Sequence, residues 1–141
     1  MGYIPRPPFL NAYTPSDTIL VSNDAQKSTF STSWVKLKEI KLVQPTYGEG
    51  RFRFYFELKE VAAISPGAYA QIYKNGVAVG IERVNGTAVW IGFTEDIDLG
   101  DWKVGDTVEL WVKTYSYLNG AYVQNFRIEG AGSPFINTLG M

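Results

Sequence analysis

The stretch Arg51-Phe52-Arg53-Phe54-Tyr55-Phe56-Glu57-Leu58-Lys59 decides the fold class. Its even positions are apolar and its odd positions are charged, apart from the amphipathic Tyr55. Successive side chains of a β-strand point to opposite faces, so a period of two describes a strand with one face on a core. Thr107-Val108-Glu109-Leu110-Trp111-Val112-Lys113 repeats the pattern. Asn75-Gly76 stands between two strand-like runs and predicts a type I′ hairpin, whose two central residues both take positive φ. Reading outward from these anchors, strands are expected near 18–22, 28–43 (interrupted), 51–60, 68–74, 77–84, 87–94, 107–115 and 121–129. No segment sustains an apolar period of 3.6. About eight short strands separated by turns specify an all-β chain, a two-sheet antiparallel sandwich of jelly-roll type.

The 141 residues fit one domain with extended ends. Residues 1–16 hold Pro5, Pro7, Pro8 and Pro15, which fix φ and remove backbone donors, so an extended N-terminal arm is expected. Residues 17–130 form the sandwich, and 131–141 a Gly-rich, then apolar, C-terminal tail. Tyr3, Ile4, Phe9, Leu10 and Tyr13 in the arm, with Phe135, Ile136 and Leu139 in the tail, are unlike the composition of a disordered segment. They are expected to dock on this domain or on a neighbouring subunit.

The body carries a weak internal repeat. Trp34-Val35-Lys36-Leu37-Lys38-Glu39-Ile40 resembles Trp90-Ile91-Gly92-Phe93-Thr94-Glu95-Asp96-Ile97, Phe56-Glu57-Leu58-Lys59 resembles Leu110-Trp111-Val112-Lys113, and Gly67-Ala68-Tyr69-Ala70-Gln71 matches Gly120-Ala121-Tyr122-Val123-Gln124. The pieces recur in one order, which implies two copies of a three-strand unit joined through 73–84. One copy cannot bury its apolar face alone.

Composition narrows function. A net charge of −1 with no basic run argues against nucleic-acid binding and against a polybasic membrane patch. No apolar stretch approaches the length needed to span a bilayer. The chain has neither Cys nor His, which removes disulfides, thiolate metal sites and the commonest general base. With no nucleophile elbow and no phosphate-binding Gly loop, no catalytic residue or cofactor is expected. The N-terminus has no secretory signal pattern, so synthesis in the cytoplasm is expected.

Two sets of residues are candidates for binding. Asp96, Asp98 and Asp101 loosely follow a calcium-loop spacing, but the distal Glu is missing and a solvated turn is the simpler reading. The outward aromatics are more informative. If even positions of 107–113 face the core, Trp111 points outward, followed by Tyr115. Tyr55 does the same in 51–59, and Tyr69 with Gln71 and Tyr122 with Gln124 share outward faces. Such residues suit protein interfaces and sugar stacking alike, and cross-strand aromatic pairing alone would also place them there. The polar run Ser28–Ser33 reads as an exposed edge or a hydroxyl-rich face.

Several segments together resemble a known module. These are Ser28–Lys36, Ile72–Gly80 with its Asn75-Gly76 turn, Phe93–Ile97, Trp102–Leu110 and Ala121–Phe126. They are similar to a β-sandwich module of virion and tail- or fibre-type proteins of phages and archaeal viruses. The resemblance covers most of 17–130 and supplies no catalytic residues. It implies a non-enzymatic virion structural protein, a capsid decoration, spike or fibre subunit on the virion surface. Such a protein would assemble through its arms with copies of itself, a trimer being expected, and with a capsid protein. The alternative is a carbohydrate-binding or adhesin module that stacks surface glycans on Trp111, Tyr115, Tyr55, Tyr69 and Tyr122, with Gln71 and Gln124 bonding hydroxyls.

Overall fold

The computed structural model describes residues 19–42, 51–61, 67–98, 100, 103–130 and the backbone of 136–138. Among them are eleven strands and no helix: β1 (Ile19–Asn23), β2 (Lys27–Thr29), β3 (Val35–Leu42), β4 (Arg51–Glu60), β5 (Ala68–Lys74), β6 (Val77–Ala78), β7 (Arg83–Asn85), β8 (Ile91–Asp98), β9 (Thr107–Thr114), β10 (Ala121–Glu129) and β11 (Ile136–Thr138). The first sheet runs β1-β10-β4-β8, with β2 also on β10; the second runs β11-β3-β9-β5-β6, with β7 also on β5. All ladders are antiparallel. The chain is therefore the two-sheet sandwich its alternation describes.

The alternation that names the strands also fills the core. Phe52, Phe54, Phe56 and Leu58 of β4 are buried in one cluster with Ala68, Ala70 and Ile72 of β5, Val108, Leu110 and Val112 of β9, and Val123, Phe126 and Ile128 of β10. Small alanines on β5 leave room for the phenylalanines of β4 opposite. Burying side chains of this size stabilises the fold by roughly 1.5–3 kcal/mol each relative to exposure. The Asn75-Gly76 hairpin forms as expected between β5 and β6, with φ of 51° and 79°.

Two local expectations change. The run 77–84 is two short strands, because 79–82 leave the sheet: Ile81 N donates to the Glu95 carboxylate and Gly80 sits against Ile72 and Ile97. The strand expected at 87–94 lies four residues later, at Ile91–Asp98. The acidic residues there look like a turn in sequence, but Arg51 and Arg53 of β4 stand opposite Asp98 and Asp96 and hold them in register. Ile136, expected to dock on this domain or on a neighbouring subunit, pairs with Leu42 of its own chain, where the edge of β3 offers backbone groups to satisfy. The other arm and tail residues named above, Tyr3, Ile4, Phe9, Leu10, Tyr13, Phe135 and Leu139, lie outside the described residues.

The repeat runs deeper than three strands. The first sheet's order β1-β10-β4-β8 becomes the second's β6-β5-β9-β3 when each of β1–β5 is exchanged with its counterpart in β6–β10. The registers follow: Ala121, Tyr122 and Val123 face Glu60, Lys59 and Leu58 as Ala68, Tyr69 and Ala70 face Thr114, Lys113 and Val112. β2 meets β10 at Thr29–Ala121, Ser28–Tyr122 and Lys27–Val123 as β7 meets β5 at Asn85–Ala68, Val84–Tyr69 and Arg83–Ala70. Residues 73–84 thus span the end of the first copy, in β5, and the start of the second, in β6 and β7. The copies are interleaved, since every ladder except β3–β11 joins a strand of one half to a strand of the other.

One of the buried polar side chains is a lysine. A register shift between Lys36 and Lys38 on β3 turns Lys38 inward, where it is fully buried and donates to Asn23 Oδ1 at 3.0 Å. Burial, with Lys27 nearby, pushes its ammonium down to about 8 against the opposing pull of Asp24.

Candidate functional site

The outer face of the second sheet carries a layer of aromatic rings. Outward alternation on β5 and β9 sets Tyr69 opposite Lys113, Gln71 opposite Trp111 and Tyr73 opposite Glu109. Tyr73 and Trp111 stack with ring centres 4.8 Å apart and planes 20° apart. Trp34, at the entrance to β3, adds a third ring 6.3 Å from Tyr73, tilted by 54°. Lys113 Nζ lies 4.8 Å from the Trp34 ring and 5.2 Å from Tyr69.

Beneath this layer sits a buried acid. Glu109 accepts from Trp111 Nε1 at 2.8 Å, from Gly76 N at 3.1 Å and from the Thr107 hydroxyl. It faces Glu39 across the ladder, and Lys36 pairs with Glu39 at 2.7 Å, offsetting the like-charge contact. The hydrogen bond to Glu109 is made at the indole edge, while Tyr73 covers one face of the indole. The hydrogen bond from Lys36 to Glu39 and the nearby Glu109 hold the Lys36 ammonium above its ordinary range despite partial burial. The Tyr69 phenol is also raised, first by burial and then by Glu82 and Tyr115.

The outer face of the first sheet is more polar. Lys59 Nζ lies 4.8 Å from the Trp90 ring and 5.7 Å from Tyr122. Beside it, Glu57 accepts from Gln124 Nε2 and from the Tyr55 hydroxyl, both at 2.6 Å. The Tyr55 ring passes over Gly92, where an added Cβ would come within 2.5 Å of its hydroxyl. Burial and the bond to Glu57 push the Tyr55 phenol up to about 12. Glu57 itself is held below its ordinary range: burial would raise it, but the bonds from Tyr55, Gln124 and Asn125 and the charge of Arg127 outweigh that.

The outward residues read from sequence therefore divide between two faces. Tyr69, Gln71 and Trp111 lie on the second sheet; Tyr55, Tyr122 and Gln124 lie on the first. Tyr115 stands just past β9, exposed. Both glutamines make internal bonds, Gln71 Nε2 to Gly80 O at 2.8 Å and Gln124 to Glu57, so each has one N–H and a carbonyl oxygen left for another partner. Trp34, Tyr73, Trp90, Lys59 and Lys113 were missed. The signal for four of them was in the repeat, which aligns Trp34 with Trp90 and Lys59 with Lys113.

Two of the three calcium candidates make other contacts. Asp96 forms a two-point pair with Arg53, at 2.9 and 3.3 Å, and Asp98 accepts from Gly100 N at 3.0 Å. Asp101 lies outside the described residues, among which no group of three potential metal ligands occurs. In the 28–33 run, Thr29 Oγ1 accepts from Ser31 N, and Ser31 Oγ bonds Ser33 at both its N–H and its carbonyl. Those hydroxyls are spent within the turn.

No protein-family model matches the chain, and no curated protein matches it. Solved structures share the fold. A CBM36-1 domain of a multidomain xylanase from the hindgut metagenome of Trinervitermes trinervoides matches with a TM-score of 0.52 at 14% identity, over 86% of this chain and 93% of that one. The C-terminal domain of EclA, a sugar-binding protein, matches with a TM-score of 0.51 at 9% identity, over 76% of this chain and 79% of that one. At these identities the likeness defines the architecture alone, a two-sheet antiparallel β-sandwich.

Proposed function

We propose that the protein is a non-enzymatic carbohydrate-binding module whose sugar platform is the Trp34–Tyr73–Trp111 surface of the second sheet. The carrying observation is that three rings form one contiguous layer, fixed from below by the buried Glu109. Amphipathic rings on a rigid sheet offer large contact area at little ordering cost, and polar groups at their margin, Gln71 and Lys113, can fix orientation. The two fold neighbours support the class: one is a carbohydrate-binding module of a xylanase and the other a sugar-binding domain. These features favour glycan binding over the virion-assembly reading, which rests on the terminal segments.

The test is a glycan array followed by affinity electrophoresis of the full chain, with Trp34→Ala and Trp111→Ala. The expected result is retardation by at least one polysaccharide, weakened in both variants while unfolding temperature stays within a few degrees. Absence of binding to any glycan at millimolar sugar refutes the reading.

A further inference from the structure

Outer-face positions face water, so the fold places few demands on them. Across the two interleaved copies most such positions differ: Trp111 corresponds to Glu57, Glu109 to Tyr55, Thr107 to Arg53 and Lys36 to Gly92. One cluster is kept entire. Trp34, Lys113 and Tyr69 on the second sheet correspond to Trp90, Lys59 and Tyr122 on the first. In both, the ammonium stands 4.8 Å from the indole and between 5.2 and 5.7 Å from the phenol.

The surrounding backbone repeats as well. Tyr115 N bonds Gly67 O as Val61 N bonds Gly120 O, and Thr114 N bonds Ser31 O as Glu60 N bonds Thr87 O. Both clusters lie at one end of the sandwich, because Asn85, opposite Ala68 in the second sheet, donates to Leu58 O of the first. They look outward in opposite directions.

The lysines set the chemistry. Lys36, Arg53, Lys74, Arg83 and Arg127 each pair with a carboxylate. Among the described residues, neither Lys59 nor Lys113 has such a pair; their contacts are with ring faces. A ring contact leaves the ammonium's donors available, while the Trp and Tyr offer apolar area to the face of a pyranose.

We propose that the two Trp–Lys–Tyr clusters are equivalent sites for carboxylate-bearing sugar units, so that one chain holds two uronate-containing glycan segments, one on each outer face. This rests on the glycan-binding reading above and adds to it the charge of the sugar and a second site. Each sugar would lay its ring on the aromatic surface and present its carboxylate to the lysine.

The test is calorimetric titration of the full chain with oligogalacturonates, oligoglucuronates and alginate oligomers, beside cello- and xylo-oligosaccharides as neutral counterparts. The expected result is two uronate oligomers per chain, falling to one in Trp34→Ala and in Trp90→Ala. Lys59→Met and Lys113→Met keep the apolar stem and should each weaken uronate binding at one site by about tenfold or more, with unfolding temperatures recorded alongside. One uronate per chain, or no preference for uronates over neutral sugars, overturns the proposal. Binding of neutral sugars alone overturns it and leaves the module reading standing; binding of neither class overturns both.

Discussion

Replacing Lys38 by Met should stabilise the protein at neutral pH and flatten its stability profile between pH 7 and 9. Lys38 is fully buried among core strands and donates to Asn23 Oδ1. Its ammonium titrates at about 8 in the folded state, against 10.5 for an ordinary lysine. At pH 7 both states are protonated, and the charged form is disfavoured by the whole of that shift, roughly 3 kcal/mol. Between the two values the unfolded chain binds a proton that the folded chain has released. Stability therefore rises with pH, by about 1 kcal/mol from pH 7 to 9. Methionine fills a similar volume without charge. Allowing about 1 kcal/mol for the lost bond to Asn23, the variant should gain roughly 1–2 kcal/mol at pH 7. Urea unfolding at pH 7, 8 and 9, followed by tryptophan fluorescence, measures both quantities. Equal pH slopes in the two proteins, or a variant less stable than wild type at pH 7, would refute this account of Lys38.

Tyr55 should behave in the opposite sense at higher pH. Its phenol is raised to about 12 in the folded state, so its contribution is present below about pH 10 and is lost as pH climbs toward 12. Glu57→Gln removes the carboxylate behind part of that shift, and Gly92→Ala pushes the ring off its seat; ultraviolet titration should show an earlier tyrosine ionisation in both. Gly67→Ala should cost roughly 3 kcal/mol or more. Its φ is +100° and a Cβ would stand 2.4 Å from Gly86 Cα. The matching Gly120→Ala should cost clearly less, because the nearest obstacle there is a Tyr122 ring atom that can move. Comparable denaturation midpoints for the two variants would contradict the contrast.

The inward half of the fold was legible because core burial imposes a strict period. Phe52 through Leu58 and Val108 through Val112 announce their strands, and Asn75-Gly76 its turn. What escaped depends on partners distant in sequence. The acidic residues of β8 read as a turn until Arg51 and Arg53 are seen across the ladder. Lys38 reads as outward until the register shift after Lys36 reverses it. The outward aromatics were read strand by strand, and assigning them to faces needs the sheet order, which alternation does not encode. That order separates Tyr55 and Tyr122 from Tyr69 and Trp111.

Interleaving has a consequence for how the chain can be divided. No two strands within β1–β5 pair with each other, and none within β6–β10 do. Cleavage in the Asn75-Gly76 hairpin would leave two peptides, each without a single ladder of its own, which should be unfolded apart and regain the sandwich when mixed. In the intact chain the pairings outside β5–β6 and β5–β7 form only by closing long loops, which makes folding slow for a chain of this size. Because the halves are built to one plan, either peptide also has the shape to complete itself with a second copy. The two-sheet body is in effect a dimer whose subunits happen to share a backbone.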